Sequence, residues 1–500
     1  MATPPAMPRP SGVSGRPASR AFLRWTLALL LPCLLAAAPT KPASPKPDAA
    51  PERRSLPPLA ALGRPTGVKI VLVGIDGATF KVLDPLLRDG SLPSLQKLIA
   101  RGARGVLKSL PQPLSPAVWT TVVTGQEPAV HGIRDFLVLH PGAPDGKTAT
   151  LVSSNDRRSL ALWNLAGAFG DTVGFAGWWA TWPAEPVRGW IVSDRMARSR
   201  FSEWHDGTPT SLLTFPRKLA SELALLRVDP SRPPLEEIRD LAAFSPGEMA
   251  EFLAVKKPIF AHGLSVLKFS YCEQRTYEEM SLRMLSREVP DLTGIYLVAN
   301  DPVSHTFWHD YEPQSFSGVP PEEVKRLGRL IPSLSMHNDR FLARLLKTLP
   351  RDTVVIVVSD HGFQASGRLP QPRPPDDFPG SFEQAHAQAL EKGTISIGQP
   401  GEHDHEGIFI AAGGPIRRGV SVDADVLDIT PTILALLGMP VAEDMKGRVL
   451  KEILQPDFLE RYPVKTIASY EEHLKHELIS PTDGDDPEKL DLLRSLGYIK

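Results

Sequence analysis

The sequence predicts an α/β fold in which a mostly parallel central sheet carries helices on both faces, together with an all-helical insertion. Three observations support this prediction. Apolar runs of strand length occur at Val68–Ile75, Thr172–Trp178, Leu292–Ala299 and Thr353–Ser359, and continuous apolar runs are typical of strands buried on both faces. Segments with helical periodicity separate these runs. Three of the runs end in an acidic or amide residue, where strands of open parallel sheets place ligand-binding groups.

Composition limits the class of protein. The chain has 500 residues, of which 42% are hydrophobic, so it can bury a large core as one catalytic unit or a few smaller ones. The formal net charge is −1 and no long basic run is present. We therefore expect no nucleic-acid-binding module.

The N-terminal residues have the pattern of a secretory signal peptide, which we assign to 1–38. Three arginines between positions 16 and 24 precede an apolar run from Trp25 to Ala38 that ends in three alanines. This run is shorter than the roughly 20 residues that a membrane-spanning helix needs. We expect cleavage after export to the periplasm or the exterior, and no transmembrane span in the mature chain; an uncleaved membrane anchor is the less favoured alternative.

A linker rich in proline and alanine at 39–66 precedes the predicted catalytic core, which we assign to 67–200 and 291–460. After removal of the signal peptide only Cys272 remains, so no internal disulfide is expected. Stability must then come from the core and from any bound metal.

The stretch from Pro113 to Ile133 contains the residue around which the predicted site is organised. Ser115 precedes Pro116 at the start of an apolar helix, so it fits the N-cap position. A capping role alone is the simpler interpretation. A nucleophilic role requires a neighbouring base or metal, because a helix dipole contributes only about 0.3 to 1 kcal/mol and cannot ionise a serine at neutral pH.

Helical periodicity replaces the strand pattern between 201 and 290, which we predict to be an all-helical cap insertion. The periodic segments are Phe215–Leu226, Pro234–Phe244 and Ile259–Glu288. A proline-rich stretch from Leu369 to Gln399 is long enough to serve as a lid. Residues 461–500 form a C-terminal tail outside the core.

Candidate metal ligands follow the predicted strands. Asp76 ends the first strand, where it either binds a ligand or opens the next turn. Asp301 and His305 are four residues apart, close enough on one helical turn to hold a single ion. Asp360 and His361 end a further strand.

Two other segments contain histidines. His403 lies in a loop with His405, directly before the predicted strand Ile408–Ala412, and such a loop is either solvated or ligand-binding. His337 and Asp339 lie on a predicted helix, and we expect both to face solvent.

The joint placement of these side chains is more informative than any one of them. Strand ends, one helix N-terminus and one loop can meet at a single edge of the sheet. The gathered residues are Asp76, Ser115, Asp301, His305, Asp360, His361 and His403. Oxygen and nitrogen ligands without a thiolate suit two Zn²⁺ ions, with Mn²⁺ as the second choice. Two ions about 4 Å apart activate a hydroxyl and stabilise both oxygens of an in-line displacement.

In their order along the chain, these segments resemble the alkaline phosphatase superfamily, most closely its nucleotide pyrophosphatase/type I phosphodiesterase branch. The matching segments are Val-Gly-Ile-Asp76-Gly, Leu-Ser115-Pro-Ala-Val-Trp-Thr-Thr-Val-Val-Thr-Gly, Glu-Pro-Ala-Val-His131-Gly-Ile, Asp301-Pro-Val-Ser-His305, Ser-Asp360-His361-Gly and Glu-His403-Asp-His-Glu-Gly-Ile-Phe-Ile. The resemblance runs from about Val68 to Leu450 and includes a divergent insertion.

The resemblance implies two ion sites joined by the nucleophile. The implied ligands of one ion are Asp301, His305 and His403, and those of the other are Asp76, Asp360 and His361. Ser115 would bridge the ions as the nucleophile, and His405 would be a neighbour rather than a ligand.

Two positions depart from the pattern of this branch. Thr is the common nucleophile there, and Ser115 is a chemically sound replacement. The branch also carries an Asn, shortly after the His-Gly-Ile segment, that binds a phosphoryl oxygen, and the corresponding position here is Phe136. The related sulfatases place x-Pro-x-Arg after the nucleophile, which Ser115-Pro-Ala-Val-Trp does not match, so a sulfatase is disfavoured.

The leading hypothesis is an exported two-metal hydrolase of phosphorus esters, with phosphodiesters as the first choice. Metal-activated Ser115 would attack a small-molecule, lipid or glycan phosphoester, and the resulting phosphoryl-enzyme would be hydrolysed. A phosphomonoesterase or a phosphotransferase would use the same chemistry. A non-catalytic protein that binds a phosphorylated ligand is the alternative from another class, and metal content discriminates between them.

Overall fold

The computed structural model describes residues 59–139, 149–197, 212–256, 262–369 and 399–479. The predicted signal peptide, nearly all of the predicted lid and the end of the tail lie outside these residues. The described strands are β1 (Ile70–Ile75), β2 (Gly102–Lys108), β3 (Leu137–Leu139), β4 (Ala149–Leu151), β5 (Val173–Ala176), β6 (Gly189–Val192), β7 (Thr214–Phe215), β8 (Leu292–Leu297), β9 (Val354–Val358), β10 (Gly362–Ala365), β11 (Gly401–Asp404), β12 (Glu406–Ala412), β13 (Val420–Asp425), β14 (Val441–Ala442) and β15 (Thr466–Ile467).

Helices precede and follow most of these strands. The described α-helices are α1 (Phe80–Arg88), α2 (Pro93–Ala100), α3 (Ser115–Thr124), α4 (Pro128–His131), α5 (Leu162–Phe169), α6 (Leu219–Leu223), α7 (Leu235–Leu241), α8 (Pro246–Ala254), α9 (Gly263–Leu285), α10 (Asn300–Tyr311), α11 (Pro321–Leu327), α12 (Leu330–Thr348), α13 (Ile429–Leu437) and α14 (Pro456–Arg461). Within the described ranges, none of them combines the length and the apolar character that a bilayer-crossing helix requires.

Nine strands form the main sheet, in the order β13-β2-β12-β9-β1-β8-β5-β6-β7. The five adjacent strands from β9 to β6 are parallel to one another. Two strands, β12 and β7, run in the opposite direction. The predicted sheet, mostly parallel and central to the fold, is therefore confirmed.

Alternate residues of β1 point into two separate apolar layers. Ile70 and Leu72 pack into a layer that includes α3, α5 and α13. Val71 and Val73 pack into a second layer that includes α1, α2, α9, α10 and α12. Because successive side chains of a strand alternate between faces, the two layers lie on opposite sides of the sheet. Helices on both faces were predicted, and the structure confirms them.

A glycine in β1 allows α3, the helix that begins with Ser115, to pack closely against the strand. A Cβ added to Gly74 would lie 2.7 Å from the indole ring of Trp119, so only glycine leaves room for this ring. Trp119 is fully buried and packs edge-on against Trp178 and Tyr296, with ring centroids 5.1 and 5.3 Å apart. This close approach holds the first turn of α3 beside the carboxyl end of β1.

The described part of 201–290 is helical, with one departure from the all-helical expectation. The two residues of β7 pair antiparallel with β6, a contact too short to produce a period in the sequence. The long helix α9 packs on the sheet, since its Leu267 and Tyr271 share the apolar layer of Val71. The described residues from Leu59 onward belong to one compact unit. A cap function for the remaining helices of this segment stays a prediction.

Candidate active site and metal centre

The seven predicted site residues lie together at one edge of the sheet. The three adjacent strands β9, β1 and β8 point their carboxyl ends toward this edge, and an acidic residue follows the end of each within four positions. The site residues are Asp76 after β1, Ser115 in α3, Asp301 and His305 in α10, Asp360 and His361 after β9, and His403 in β11.

A first group of ligand atoms surrounds His361. Its Nε2 lies 3.5 Å from Oδ1 of Asp76 and 3.3 Å from Oδ2 of Asp360. All three side chains are fully buried. Two ligands of a tetrahedral ion, each bonded at roughly 2.0–2.2 Å, are separated by about 3.4 Å. The spacing of this group matches that requirement.

A second group surrounds Asp301. Its Oδ1 lies 3.1 Å from Nε2 of His403 and 3.3 Å from Nε2 of His305. His361 adjoins this group too, because its Nε2 is 3.7 Å from the same Asp301 oxygen and its ring stacks on His403 with centroids 3.6 Å apart. His361 thus lies between the two groups, whereas the resemblance implied that it binds only the ion held by Asp76 and Asp360.

The three histidines present the same ring nitrogen to the site. Each has its Nδ1 at hydrogen-bonding distance from a backbone carbonyl, which can only accept, so Nδ1 carries the proton and Nε2 offers a lone pair. The accepting carbonyls and their distances are Gly401 for His305 at 2.8 Å, Gly362 for His361 at 3.0 Å, and Pro113 for His403 at 2.8 Å. Two unprotonated nitrogens cannot hydrogen-bond to each other. The 2.8 Å between Nε2 of His305 and Nε2 of His403 is therefore the arrangement of two ligands facing one cation.

Unpartnered buried atoms also fit a cation. Oδ2 of Asp360 and Nε2 of His361 are buried without a hydrogen bond from any residue that the structure describes. Burial raises the pKa of Asp76 well above its usual range, and the charges of Asp360 and Asp301 raise it further. Burial also raises the pKa of Asp360 to about 7. Divalent ions would supply the missing partners and the missing positive charge.

Burial acts on His361 in the direction that favours ligation. Loss of solvent lowers the pKa of its imidazole well below the usual range, and the neighbouring His403 lowers it further. The ring is therefore neutral at physiological pH, which is the form that binds a metal.

Ser115 is placed beside the first group of ligand atoms. Its hydroxyl donates to Oδ1 of Asp76 across 3.4 Å, and the side chain is 1% exposed. The helix begins at Ser115 itself and Leu114 holds the N-cap position, so the predicted N-cap role is wrong. The physical reason is that the hydroxyl turns toward Asp76 and the strand end. The positive end of the α3 dipole consequently faces the site.

A buried aromatic pair orients Asp76, and the sequence had not singled it out. The hydroxyl of Tyr296 donates to Oδ2 of Asp76, and Nε1 of Trp179 donates to the Tyr296 hydroxyl at 2.9 Å. Burial and the nearby Asp76 charge raise the pKa of Tyr296, so it keeps its proton and remains a donor. Phe136, which stands where the resemblance expects Asn, packs edge-on against Trp179 with centroids 5.4 Å apart.

The apolar support of the histidines was also missed. The ring of Phe363 in β10 lies 4.8, 5.5 and 5.4 Å from the rings of His305, His361 and His403. Phe363 is fully buried. These contacts restrict the orientation of the three imidazole rings. Its position two residues after His361 was the only available signal.

Two residues expected to face solvent are buried instead. His337 is 7% exposed, with its Nε2 2.9 Å from Oε1 of Glu278. Asp339 is 2% exposed and accepts hydrogen bonds from the backbone N–H groups of Ser94 and Leu95 at the start of α2. Neither prediction holds, because each polar group has a partner on a neighbouring helix. Both lie outside the candidate site.

Residues 70–371 match the family described as type I phosphodiesterase / nucleotide pyrophosphatase. This match covers more than half of the chain. The chain belongs to the type I phosphodiesterase and nucleotide pyrophosphatase family. This phosphodiesterase family lies within the alkaline phosphatase superfamily, as the resemblance indicated, and membership supports a phosphoester hydrolase. Two clusters of ligand atoms, Asp76, Asp360 and His361 on one side and Asp301, His361 and His403 on the other, are candidate metal sites in this metal-dependent family.

Several solved structures show distant similarity to this chain. Human ectonucleotide pyrophosphatase/phosphodiesterase 5 has 15% identity and a TM-score of 0.44, with 77% of this chain and 99% of that chain covered. An inactive form of the murine protein in complex with AMP has 14% identity and a TM-score of 0.44, with coverages of 78% and 100%. Phosphonoacetate hydrolase from Sinorhizobium meliloti 1021 has 15% identity and a TM-score of 0.38, with coverages of 73% and 94%. No curated protein sequence matches this chain.

Proposed function

We propose that this protein is an exported two-metal phosphodiesterase that uses Ser115 as its nucleophile. The observation that carries the proposal is the convergence of three unprotonated histidine nitrogens and three buried carboxylates beside the Ser115 hydroxyl. Family membership supports phosphoester hydrolysis, and the N-terminal sequence pattern, outside the described residues, supports export.

The donor set fits two divalent ions, with Zn²⁺ preferred and Mn²⁺ second, because imidazole nitrogens and carboxylate oxygens are their common ligands. The proposed ligands of one ion are Asp301, His305 and His403, and those of the other are Asp76, Asp360 and His361. Bound ions supply Lewis acidity and positive charge at the reacting phosphorus. Without them, the three carboxylates would repel an anionic phosphoester.

Ser115 supplies the first new bond. Its Oγ attacks phosphorus, the Oγ–P bond forms, and the bond from phosphorus to the leaving oxygen breaks in line. The hydroxyl directs its proton at Oδ1 of Asp76, and this proton is released as the Oγ–P bond forms and is taken up by the departing oxygen. A water molecule then attacks phosphorus from the vacated side, the P–Oγ bond breaks, and a proton from the water returns to the Ser115 oxygen. The N-terminal end of α3 favours the negative charge throughout.

Solvent reaches the site from one side. The His305 and His403 side chains are 21% and 17% exposed, whereas Asp301 is 4% exposed and His361 is fully buried. The substrate would therefore approach across His305 and His403. The family description favours a small-molecule phosphodiester or a nucleotide pyrophosphate as substrate. A lipid or glycan phosphoester has no support beyond the same chemistry.

Hydrolysis of bis-p-nitrophenyl phosphate and of p-nitrophenyl phosphate tests this function, in Zn²⁺ and in Mn²⁺. We expect faster cleavage of the diester, and loss of about three orders of magnitude or more in kcat for Ser115→Ala. Ser281→Ala is the matched control, because Ser281 is buried on α9, away from the site, and its hydroxyl donates to the Tyr277 carbonyl. A preference for the monoester would favour a phosphomonoesterase. Bound metal without turnover of either ester would favour a transferase or a binding protein.

A further inference from the structure

We propose that His309, Asp310 and Glu323 hold a third divalent cation, outside the candidate active site. His309 and Asp310 lie in the last turn of α10, and Glu323 lies in the first turn of α11. Asp310 is nine residues beyond Asp301 on α10, which corresponds to about 13 Å along a helix. The third site is therefore separate from the two ligand groups around His361, and it does not depend on the proposed reaction.

The three side chains converge as ligands do. Nε2 of His309 lies 3.6 Å from Oδ2 of Asp310 and 3.7 Å from Oε1 of Glu323. One ligand atom from each residue lies within 4.8 Å of the others. These distances exceed a normal hydrogen bond of 2.7–3.2 Å. They are close to the separation of about 3.4 Å between two ligands of a tetrahedral ion.

The carboxylate of Asp310 supplies a second and independent observation. Asp310 is 1% exposed, and neither of its side-chain oxygens has a hydrogen bond from any residue in the described ranges. A buried carboxylate without a donor is costly, and native structures rarely leave one unexplained. Burial raises the pKa of Asp310 to about 7, and the charges of Glu323 and Glu248 raise it further. A cation at this point would remove the cost.

The side chain of the neighbouring Arg326 hydrogen-bonds to groups other than Asp310. Nε and one terminal nitrogen of Arg326 donate to the carboxylate of Glu248 at 3.2–3.4 Å. Its other terminal nitrogen donates to the Glu322 carbonyl at 2.9 Å. Arg326 therefore lowers the negative potential near Asp310 without hydrogen-bonding to it. Arg326 therefore does not provide the partner that Asp310 lacks, and a bound cation would provide it.

One imidazole nitrogen and two carboxylate oxygens form a donor set typical of Zn²⁺, with a fourth position left for solvent. The Glu323 side chain is 34% exposed and that of His309 is 12% exposed, so an ion can enter from the Glu323 side. Phe307 has non-helical backbone angles and separates this end of α10 from His305. A cation here would tie the end of α10 to α11 and steady the helix that carries Asp301 and His305.

Zinc stoichiometry tests the proposal on the full-length chain. The wild type, Glu323→Gln and the matched control Glu322→Gln are dialysed to equilibrium against the same free Zn²⁺ concentration, and zinc per chain is measured by mass spectrometry. Glu322 is the adjacent, exposed acidic residue of the same helix turn. We expect Glu323→Gln to bind one ion fewer than the other two proteins. Equal stoichiometry in all three would overturn the proposal.

Asp310→Asn provides a second, independent test. The amide keeps the size of the side chain but is a poor zinc ligand. A third ion predicts that added Zn²⁺ raises the melting temperature of the wild type more than that of Asp310→Asn, because a ligand stabilises only the protein that binds it. The same Zn²⁺-dependent rise in both proteins would contradict the proposal, since the ions at the candidate active site are common to both.

Discussion

The Tyr296 hydroxyl donates a hydrogen bond to Oδ2 of Asp76, the candidate ligand that also accepts from Ser115 through Oδ1. Trp179 donates in turn to the Tyr296 oxygen. Register places Tyr296 of β8 opposite Gly74 of β1, so the last residue but one of one strand reaches the residue that directly follows its neighbour. Burial raises the pKa of Asp76, and the hydrogen bond from Tyr296 lowers it, so this donor both orients the carboxylate and favours the ionised form that binds a metal.

Replacement of Tyr296 by Phe removes this donor and leaves the ring. We expect metal affinity or kcat/KM to fall about 10- to 100-fold, the usual effect of losing such a partner. Tyr470→Phe is the control, because the Tyr470 hydroxyl donates to the Pro440 carbonyl away from the site. The control should lose about 1 kcal/mol of stability and keep its activity. Wild-type kcat/KM for Tyr296→Phe at limiting metal would refute this role.

Removal of metal should abolish hydrolysis and lower the melting temperature. Asp76, Asp301 and Asp360 are buried beside one another, so their charges oppose folding when no cation is bound. We expect Zn²⁺ or Mn²⁺ to restore both properties, and Mg²⁺ to restore them poorly because it prefers oxygen ligands and retains its water. Calorimetry and hydrolysis assays on chelated and reloaded protein measure this. Unchanged activity after complete chelation would argue against a metal-dependent reaction.

A buried ion pair away from the site should give acid-sensitive stability. Both oxygens of Glu185 accept from Arg157, at 2.9 and 2.7 Å. Burial alone would raise the pKa of Glu185, but the Arg157 charge, the nearby His476 imidazole and the hydrogen bonds from Arg157 hold it at about 2. A lowered folded-state pKa stabilises the protein above the unfolded-state value of about 4.3, and this stability is lost as pH falls toward 2.

Glu185→Gln is therefore expected to lose about 3–5 kcal/mol of unfolding free energy at pH 7, the cost of breaking a buried pair. The difference from the wild type should shrink between pH 4 and pH 2, roughly the interval between the two pKa values. Denaturant titrations at several pH values measure it. Glu236→Gln removes an exposed partner of Arg239 and should change stability little. A pH-independent difference for Glu185→Gln would show that packing alone is responsible.

The contact between β1 and α3 can be tested through Gly74. A Cβ at this position would lie 2.7 Å from the Trp119 ring, so Gly74→Ala forces α3 away from the strand. We expect a loss of about 1–3 kcal/mol from overpacking, together with a lower kcat because Ser115 moves with its helix. In Gly167→Ala, the added Cβ meets nothing closer than 4.0 Å, so this variant should be neutral or slightly stabilising. Equal kcat values for Gly74→Ala and the wild type would contradict the proposal that the contact between β1 and α3 positions Ser115.

The parallel core of the fold could be predicted because its strands are buried on both faces. The run at Val68–Ile75 differs from β1 only at its start, where Lys69 bonds through its side chain to Val289 and Asp291. The direction of β12 could not be predicted in this way. It runs antiparallel because β11, paired antiparallel with β10, returns the chain to the sheet, and an apolar run carries no information about direction.

The candidate site was predictable where polar residues interrupt an apolar pattern, as at Asp76 and Asp360. Tyr296 and Phe363 were not predictable, because an aromatic residue in or beside a strand normally indicates core packing. Asp339 was misjudged for a related reason. A polar residue on an amphipathic helix normally faces water, and only the fold brings the N–H groups of α2 within its reach.

The central claim is a covalent intermediate on Ser115, and the stereochemical course at phosphorus tests it most directly. The substrate is a phosphorothioate diester of known configuration, hydrolysed in isotopically labelled water by the zinc-loaded protein. Attack by Ser115 followed by attack of water comprises two in-line displacements, each of which inverts the configuration. The account predicts net retention. Net inversion would show that water attacks phosphorus directly, and would contradict Ser115 as the nucleophile.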